Sequence, residues 1–340
     1  MILKTAEFNV ILENIGNTMR VKHNYENSDS IMFDGKYIYM FNNLIGVFHP
    51  FEQKEIKGMV KASSFINLIK KIKEEEFELV VSDNELKVNT KKVKSGFPFN
   101  PNLSDIEVDF ECQYKKVPEG LAEGLYLCSF STAKDDYKSL NFICINDLFI
   151  YSTDNYRISC YYMNKGLDKR NNIYIYANCA SILNSYKNIE KYAIDNKFIY
   201  LQNDDNSIVA MRIGSIDNFP DCINLLKDID KKNVIELPDN LLDALGTAGL
   251  FIDSDNEGKK KVTVEFNGKK IKLKSSSVSG WIDIGLRCDS NLKTAFIINA
   301  DFFAEILKLT NKVIIHEHKA LFETDKFSHL VALYTKTKDE

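Results

Sequence analysis

Residues 140–160 read LNFICINDLFIYSTDNYRISC. The runs 142–145 and 148–152 predict two strands joined at Asn146-Asp147. Asn and Asp tolerate tight turns, and Phe, Ile, Tyr and Leu suit a pleated, half-buried surface. A second turn, Thr153-Asp154-Asn155, leads to a third strand opening with Tyr156-Arg157-Ile158. Taken alone, Arg157 reads as a residue that ties down a turn. The flanking sequence changes its weight, because the same meander recurs along the chain, each time after a helix.

Just upstream, Val117-Pro118-Glu119 introduces a helix whose apolar stripe is Leu121, Leu125 and Cys128, weakened by Gly120 and Gly124. Downstream, Ile182, Leu183, Tyr186 and Ile189 predict another helix, followed by strands KFIYLQ (197–202) and SIVAMRIG (207–214) and a close at Asp217-Asn218-Phe219-Pro220. At the N-terminus, Phe8, Ile11, Leu12 and Ile15 have the spacing of a one-sided helix. Strands SIMF, KYIYMF and LIGVFHPF follow, joined at Asp34-Gly35, a strong hairpin signal, and at Asn42-Asn43. Ser63 or Ser64 is expected to cap a helix bearing Phe65, Leu68, Ile69 and Ile72, ahead of FELVV, ELKVN and VKSGFPF. A fifth helix, after Leu237-Pro238-Asp239, carries Leu241, Ala244, Leu245 and Ala248, and is followed by KVTVEF, Asn267-Gly268, KKIKLK and WIDIGL. The sixth, capped by Asn299, carries Phe303, Ile306, Leu307 and Thr310, with strands KVIIHEH, ALFET and HLVALYTK after it.

A helix-then-meander unit repeated at roughly 50 to 60 residues is an internal repeat. One copy is too small to bury its own sheet face, so the copies are expected to pair. The reading is an α+β chain of three domains, 1–113, 114–229 and 230–340, each a duplicated helix-plus-antiparallel-meander unit. Linkers are expected near Asp109 to Lys116 and Lys227 to Asn233.

Hydrophobic content of 44% and charged content of 27% describe a soluble globular protein. The basic residues are nearly all lysine, with arginine confined to Arg20, Arg157, Arg170, Arg212 and Arg287. A formal charge of −4 argues against an all-over basic coat but allows a segregated basic face. The N-terminus lacks the pattern of a signal peptide, and no run approaches 18 apolar residues, so no membrane partner is expected. Seven cysteines without a C-x-x-C pair predict reduced, buried thiols in a cytoplasm.

Three matched domains, each doubled, resemble the bacterial-type DNA sliding clamp, the beta subunit of the replicative DNA polymerase III. Leu140-Asn141 followed by TDNYRIS (153–159) is similar to that family's L-N-G … T-D-G-H-R-L-A segment. NFPDCINLL (218–226) resembles its F-P-D-Y segment, and NADFFAEILKLTNKVIIHEH (299–318) with HLVALY (329–334) its last helix and strands. No single motif is specific; their order and spacing together are.

The resemblance implies a head-to-tail homodimer closed into a ring, helices lining the hole and sheets forming the wall. Such a ring holds double-stranded DNA without regard to sequence, and needs only moderate positive charge on its inner face. Helix faces suggest Lys70, Lys71, Lys73, Lys187, Lys191 and Lys308 as DNA-lining residues, and the family's contacts add Arg20, Lys22 and Lys134. The replicative polymerase and the clamp loader are implied partners. In the family they dock a short apolar peptide into a pocket between the second and third domains. Its wall would be Leu140, Thr153, Asn155, Tyr156, Arg157, Ile158, Pro220, Asn224, Leu225, Leu330 and Ala332. Asn155-Tyr156 replaces the family's Gly-His, Asn224 stands where a basic residue is common, and Ala332 replaces a larger Met. The tail also runs on to YTKTKDE. These departures bear on the preferred peptide, not on the pocket's existence, and a divergent phage or plasmid replicon would account for them. For the dimer contact the resemblance implies Leu250 and Phe251 against an edge strand near Val93 to Phe97.

Enzymatic readings find little support. No P-loop or nucleophile elbow is present, and no catalytic residue or cofactor is expected. The alternative is a metal-dependent DNA-processing enzyme using His316 and His318, which would share one face of a strand in His316-Glu317-His318.

Overall fold

The computed structural model describes residues 1–23, 26–82, 84–103, 105–133, 139–167, 172–227, 229–252, 260–316 and 318–334. The chain divides into two compact units. The first comprises Met1–Phe130, Phe142–Asp147 and Asn164–Asp217; the second comprises Ser131–Asn141, Leu148–Met163 and Asn218–Glu340.

The expected repeat is present, with one addition: a strand precedes each helix. Among the described residues the order strand, helix, three-strand meander occurs six times. The leading strands are Ile2–Lys4, Lys57–Lys61, Lys115–Lys116, Ile173–Tyr176, Val234–Glu236 and Lys293–Asn299. Each pairs with the meander of its neighbouring copy, and Ile173–Tyr176 pairs in addition with the last meander strand of its own, Ile208–Gly214. Ile2–Lys4 pairs with Glu76–Ser82 of the second copy, and Lys57–Lys61 returns the exchange by pairing with Ser30–Asp34 of the first. Lys115–Lys116 pairs with Ile189–Ile194, and Ile173–Tyr176 with Phe142–Asn146. Val234–Glu236 pairs with Lys312–His316, and Lys293–Asn299 with Lys261–Asn267. One copy alone would leave its first meander strand with an unpaired edge and, in all but the fourth copy, its leading strand without a ladder, which explains why copies come in pairs.

The expected turns carry the left-handed residues that tight reversals need. Gly35 and Gly268 have φ of +90° and +61°, and Asn43, Asn84, Asp147 and Asn155 also have positive φ.

The helices are Thr5–Gly16, Ala62–Lys71, Leu121–Ser129, Ala177–Ser181, Leu241–Ala248 and Ala300–Leu307, with a short extra turn, Ile223–Lys227. The predicted stripes of the fifth and sixth helices are buried at Leu241, Ala244, Leu245, Ala248, Phe303 and Ile306. Asn299 caps as expected, its Oδ1 accepting from the amides of Asp301 and Phe302 at 2.9 and 3.2 Å. Three expectations change. The second helix starts at Ala62 without a side-chain cap, so Ser63 and Ser64 lie in its first turn. The third starts at Leu121, after a turn closed by the Leu121 amide on the Pro118 carbonyl, with left-handed Gly120 as N-cap. In the fourth copy Ile182 and Leu183 belong to a 3-10 turn and Ile189 to a strand, because the helix ends at Ser181.

The stretch read as the first linker lies against the core of the first unit. Phe110 stacks on Tyr37 at 4.8 Å, and the Asp109 amide donates to Tyr200 Oη at 3.1 Å. No helix among the described residues is long and apolar enough to cross a membrane.

Candidate functional site: an apolar groove in the second unit

The groove begins with the turn quoted at the outset. Thr153 Oγ1 donates to the Arg157 carbonyl at 2.8 Å and accepts from the Asn155 amide at 3.1 Å. Asp154 Oδ1 accepts from the amides of Tyr156 and Arg157, both at 3.0 Å. These bonds hold Asn155 in its left-handed conformation and present Tyr156, 57% exposed, at the rim.

Strand register builds the floor. Ile158 lies opposite Leu330, which lies opposite Leu321. Two residues along the same face, Lys319 lies opposite Ala332, whose amide donates to the Tyr156 carbonyl at 2.8 Å. Facing residues in antiparallel strands project to one side, so an apolar row sits beside a row of aromatic, methyl and ammonium groups. Pro220, Asp221, Cys222, Leu225 and His318 complete the lining of a cavity of about 360 Å³.

Nine of the predicted wall residues line this cavity: Thr153, Asn155, Tyr156, Arg157, Ile158, Pro220, Leu225, Leu330 and Ala332. Leu140 does not; it is buried, and its carbonyl accepts from the Ala133 amide at 3.0 Å. Asn224 does not either, its amide group donating to Asp221 Oδ2 at 3.1 Å. Asp221, Cys222, His318 and Lys319 line the cavity without having been foreseen. Burial pushes the Cys222 thiol up to about 11 and the nearby Cys160 thiol up to about 12, so both are neutral and packing-like at neutral pH.

Arg157 does more than close a turn. Its side chain is 2% exposed, with Nε donating to Asp154 Oδ2 at 3.0 Å and Nη1 to Glu305 Oε2. The guanidinium stacks over the Phe302 ring, 3.8 Å from its centroid. Behind the floor, fully buried His329 shares its Nδ1 with Ser159 Oγ at 2.9 Å, and Ser131 Oγ lies 2.5 Å from Ser159 Oγ. Burial, reinforced by the Arg157 charge, holds the His329 imidazole well below its usual range. The unfolded chain therefore takes up a proton near pH 6.5 that the folded chain refuses. Stability is expected to be full above about pH 6.5 and to fall below it by up to about 1.4 kcal/mol per pH unit. Urea midpoints at pH 7.5 and 5.5 should show this loss, and His329→Gln should reduce it. An identical acid loss in the variant would exclude His329 as its source.

Over the whole chain this architecture has counterparts. The DNA polymerase III subunit beta of Borrelia burgdorferi superposes with a TM-score of 0.81 at 16% identity, covering 99% of each chain. That of Thermotoga maritima gives 0.79 at 15%, again over 99% of each chain. The DNA polymerase sliding clamp of Bacillus subtilis gives 0.73 at 14% over the same share. The chain has the sliding-clamp fold. No protein-family profile matches it, and no curated protein does.

Within this clamp fold the other candidates are distributed as follows. Arg20 ends a 3-10 turn after the first helix, and Lys22 follows it; both are exposed. Lys70 and Lys71 occupy the last turn of the second helix, where cations suit the helix dipole, and Lys73 lies just beyond. Lys70 Nζ pairs with Glu13 of the first helix at 3.2 Å. Lys187 follows the 3-10 turn of the fourth copy. Lys191 is a strand residue opposite Lys116, a correction to its expected helical placement. Lys308 is the C-cap of the sixth helix, and Lys134 lies outside the described residues. Val93 and Phe97 are half-buried, Phe97 on the edge strand Lys94–Pro98 with its ring edge-on to Phe65 at 5.5 Å. Leu250 is 75% exposed, ruling out a core role, and Phe251 is half-buried. The strand carrying His316 ends there, and His318 lies in the turn that follows, so the two do not alternate on one strand. Among the described residues no group of three or more His, Cys, Asp or Glu could hold a metal ion.

Proposed function

We propose that this chain is a non-enzymatic DNA polymerase processivity factor, a sliding clamp that closes as a homodimeric ring around duplex DNA. The observation that carries this reading is whole-chain likeness to clamp structures, covering 98–99% of both partners in every comparison reported above and in the clamps of Pseudomonas aeruginosa. The reciprocal exchange of leading strands supports three clamp-type domains, 1–113, 114–229 and 230–340. Each then holds two copies that complete one another's sheets.

DNA would be held by topology, with exposed cations such as Arg20, Lys22, Lys71, Lys73, Lys187 and Lys191 neutralising phosphates and reading no bases. That division of labour is compatible with a net charge of −4. The ring would close through Leu250 and Phe251 of one copy against the strand near Val93 and Phe97 of the next. The apolar groove would receive a linear peptide from the replicative polymerase, the clamp loader and other replication and repair proteins.

The decisive experiment is retention on nicked circular DNA during gel filtration. The protein should co-elute with the circle and be lost when the circle is linearised. Equal retention on circular and linear DNA would sink the clamp reading, and a dimer should have twice the 39.0 kDa chain mass.

A further inference from the structure

The groove's lining carries two cations, Lys319 and Arg157. Lys319 is half-buried beside Ala332, two residues from the apolar pair Leu321 and Leu330. It takes part in none of the ion pairs among the described residues. The other cation of the lining, Arg157, is already engaged by Asp154 and Glu305 and has no charge left to offer a ligand. Asp221, also in the lining, supplies a carboxylate, exposed and steadied by the Asn224 amide. The lining therefore holds an ammonium, with His318 next to it in the chain, and a carboxylate.

We infer that Lys319 makes this groove select a linear peptide carrying a carboxylate beside its apolar anchors. The inference rests on the reading of the groove as a peptide-docking site and names the chemistry of its ligand. Lysine buries its methylene stem while keeping its ammonium accessible, so half-buried Lys319 in an apolar lining offers a charge to a ligand carboxylate that arrives beside apolar anchors. Asp221 repels a ligand carboxylate that lies near it, so the two lining charges together favour one direction of the peptide. Ala332 contributes to access: a methyl group between Tyr156 and Lys319 leaves room for a peptide backbone to cross the row.

The test uses the full chain and labelled acetyl-Gly-Leu-Phe-Leu-Gly amide peptides extended at either end by Asp, Asn or Lys. With the extension at one end, the Asp peptide should bind roughly five- to tenfold tighter than the Asn peptide. The preference should disappear at 1 M salt and in Lys319→Gln, which keeps a long polar side chain without the charge. Leu225→Asp should weaken all the peptides together, which locates them in the groove. Equal affinity of Asp and Asn peptides, or a preference that survives Lys319→Gln, would overturn the inference while leaving the docking reading intact. Tightest binding of the Lys peptide would overturn it in favour of Asp221. If none of the peptides binds, the docking reading itself falls, and the inference with it.

Discussion

Arg157→Ala should destabilise the second unit by about 3–5 kcal/mol, the cost typical of breaking a buried ion pair by removing one partner. The substitution leaves Asp154 with a side chain only 10% exposed and no counter-ion, and takes from Glu305 the Nη1 that it accepts. It also removes the guanidinium from the Phe302 ring, a contact contributing about 0.5–2 kcal/mol. Asp154 would keep the two amide bonds that shape the turn, so the loss should appear chiefly as global stability in urea. Arg157→Lys separates charge from geometry. A lysine keeps one positive charge but cannot bridge two carboxylates while lying flat on a ring, so about half the loss should persist. If alanine costs less than about 1 kcal/mol, Arg157 is not the tie that its contacts describe.

Reversing Lys71 and Lys73 to glutamate should lower the affinity for duplex DNA by roughly sixtyfold at 0.1 M salt. Two lost phosphate contacts take about 1.8 from the slope of log K against log salt, and between 1 M and 0.1 M that slope change amounts to the stated factor. Both residues are exposed and only Lys71 lies in the last turn of a helix, so unfolding free energy should move by no more than about 1 kcal/mol. Lys70 is deliberately left alone. Its ion pair with Glu13 joins the first two helices, and a glutamate there would set two carboxylates face to face. An unchanged salt slope in the double variant would remove Lys71 and Lys73 from the DNA surface.

Much of the architecture was legible because it is local. The fifth helix places Leu241, Ala244, Leu245 and Ala248 inward as their spacing predicts. The turns at Asp34-Gly35, Asn42-Asn43 and Asn267-Gly268 follow from which residues accept positive φ. The fourth helix was misplaced for a related reason. Ile182, Leu183, Tyr186 and Ile189 are apolar at intervals that a helix, a 3-10 turn or a strand can each use, and their pattern does not say which.

By itself, the sequence determined the sixfold helix-and-meander repeat, its turns and its helix stripes. All of these depend on short-range spacing or on residue type. Tertiary structure alone decided the rest. Leading strands as short as Lys115–Lys116 carry no periodicity of their own and exist because a neighbouring copy supplies their partner. Arg157 could be read as a turn residue from its own stretch, but Glu305 and Phe302 reach it from far along the chain. Lys319 enters the groove through a register spanning three strands, and that register is set by which face of the sheet is buried.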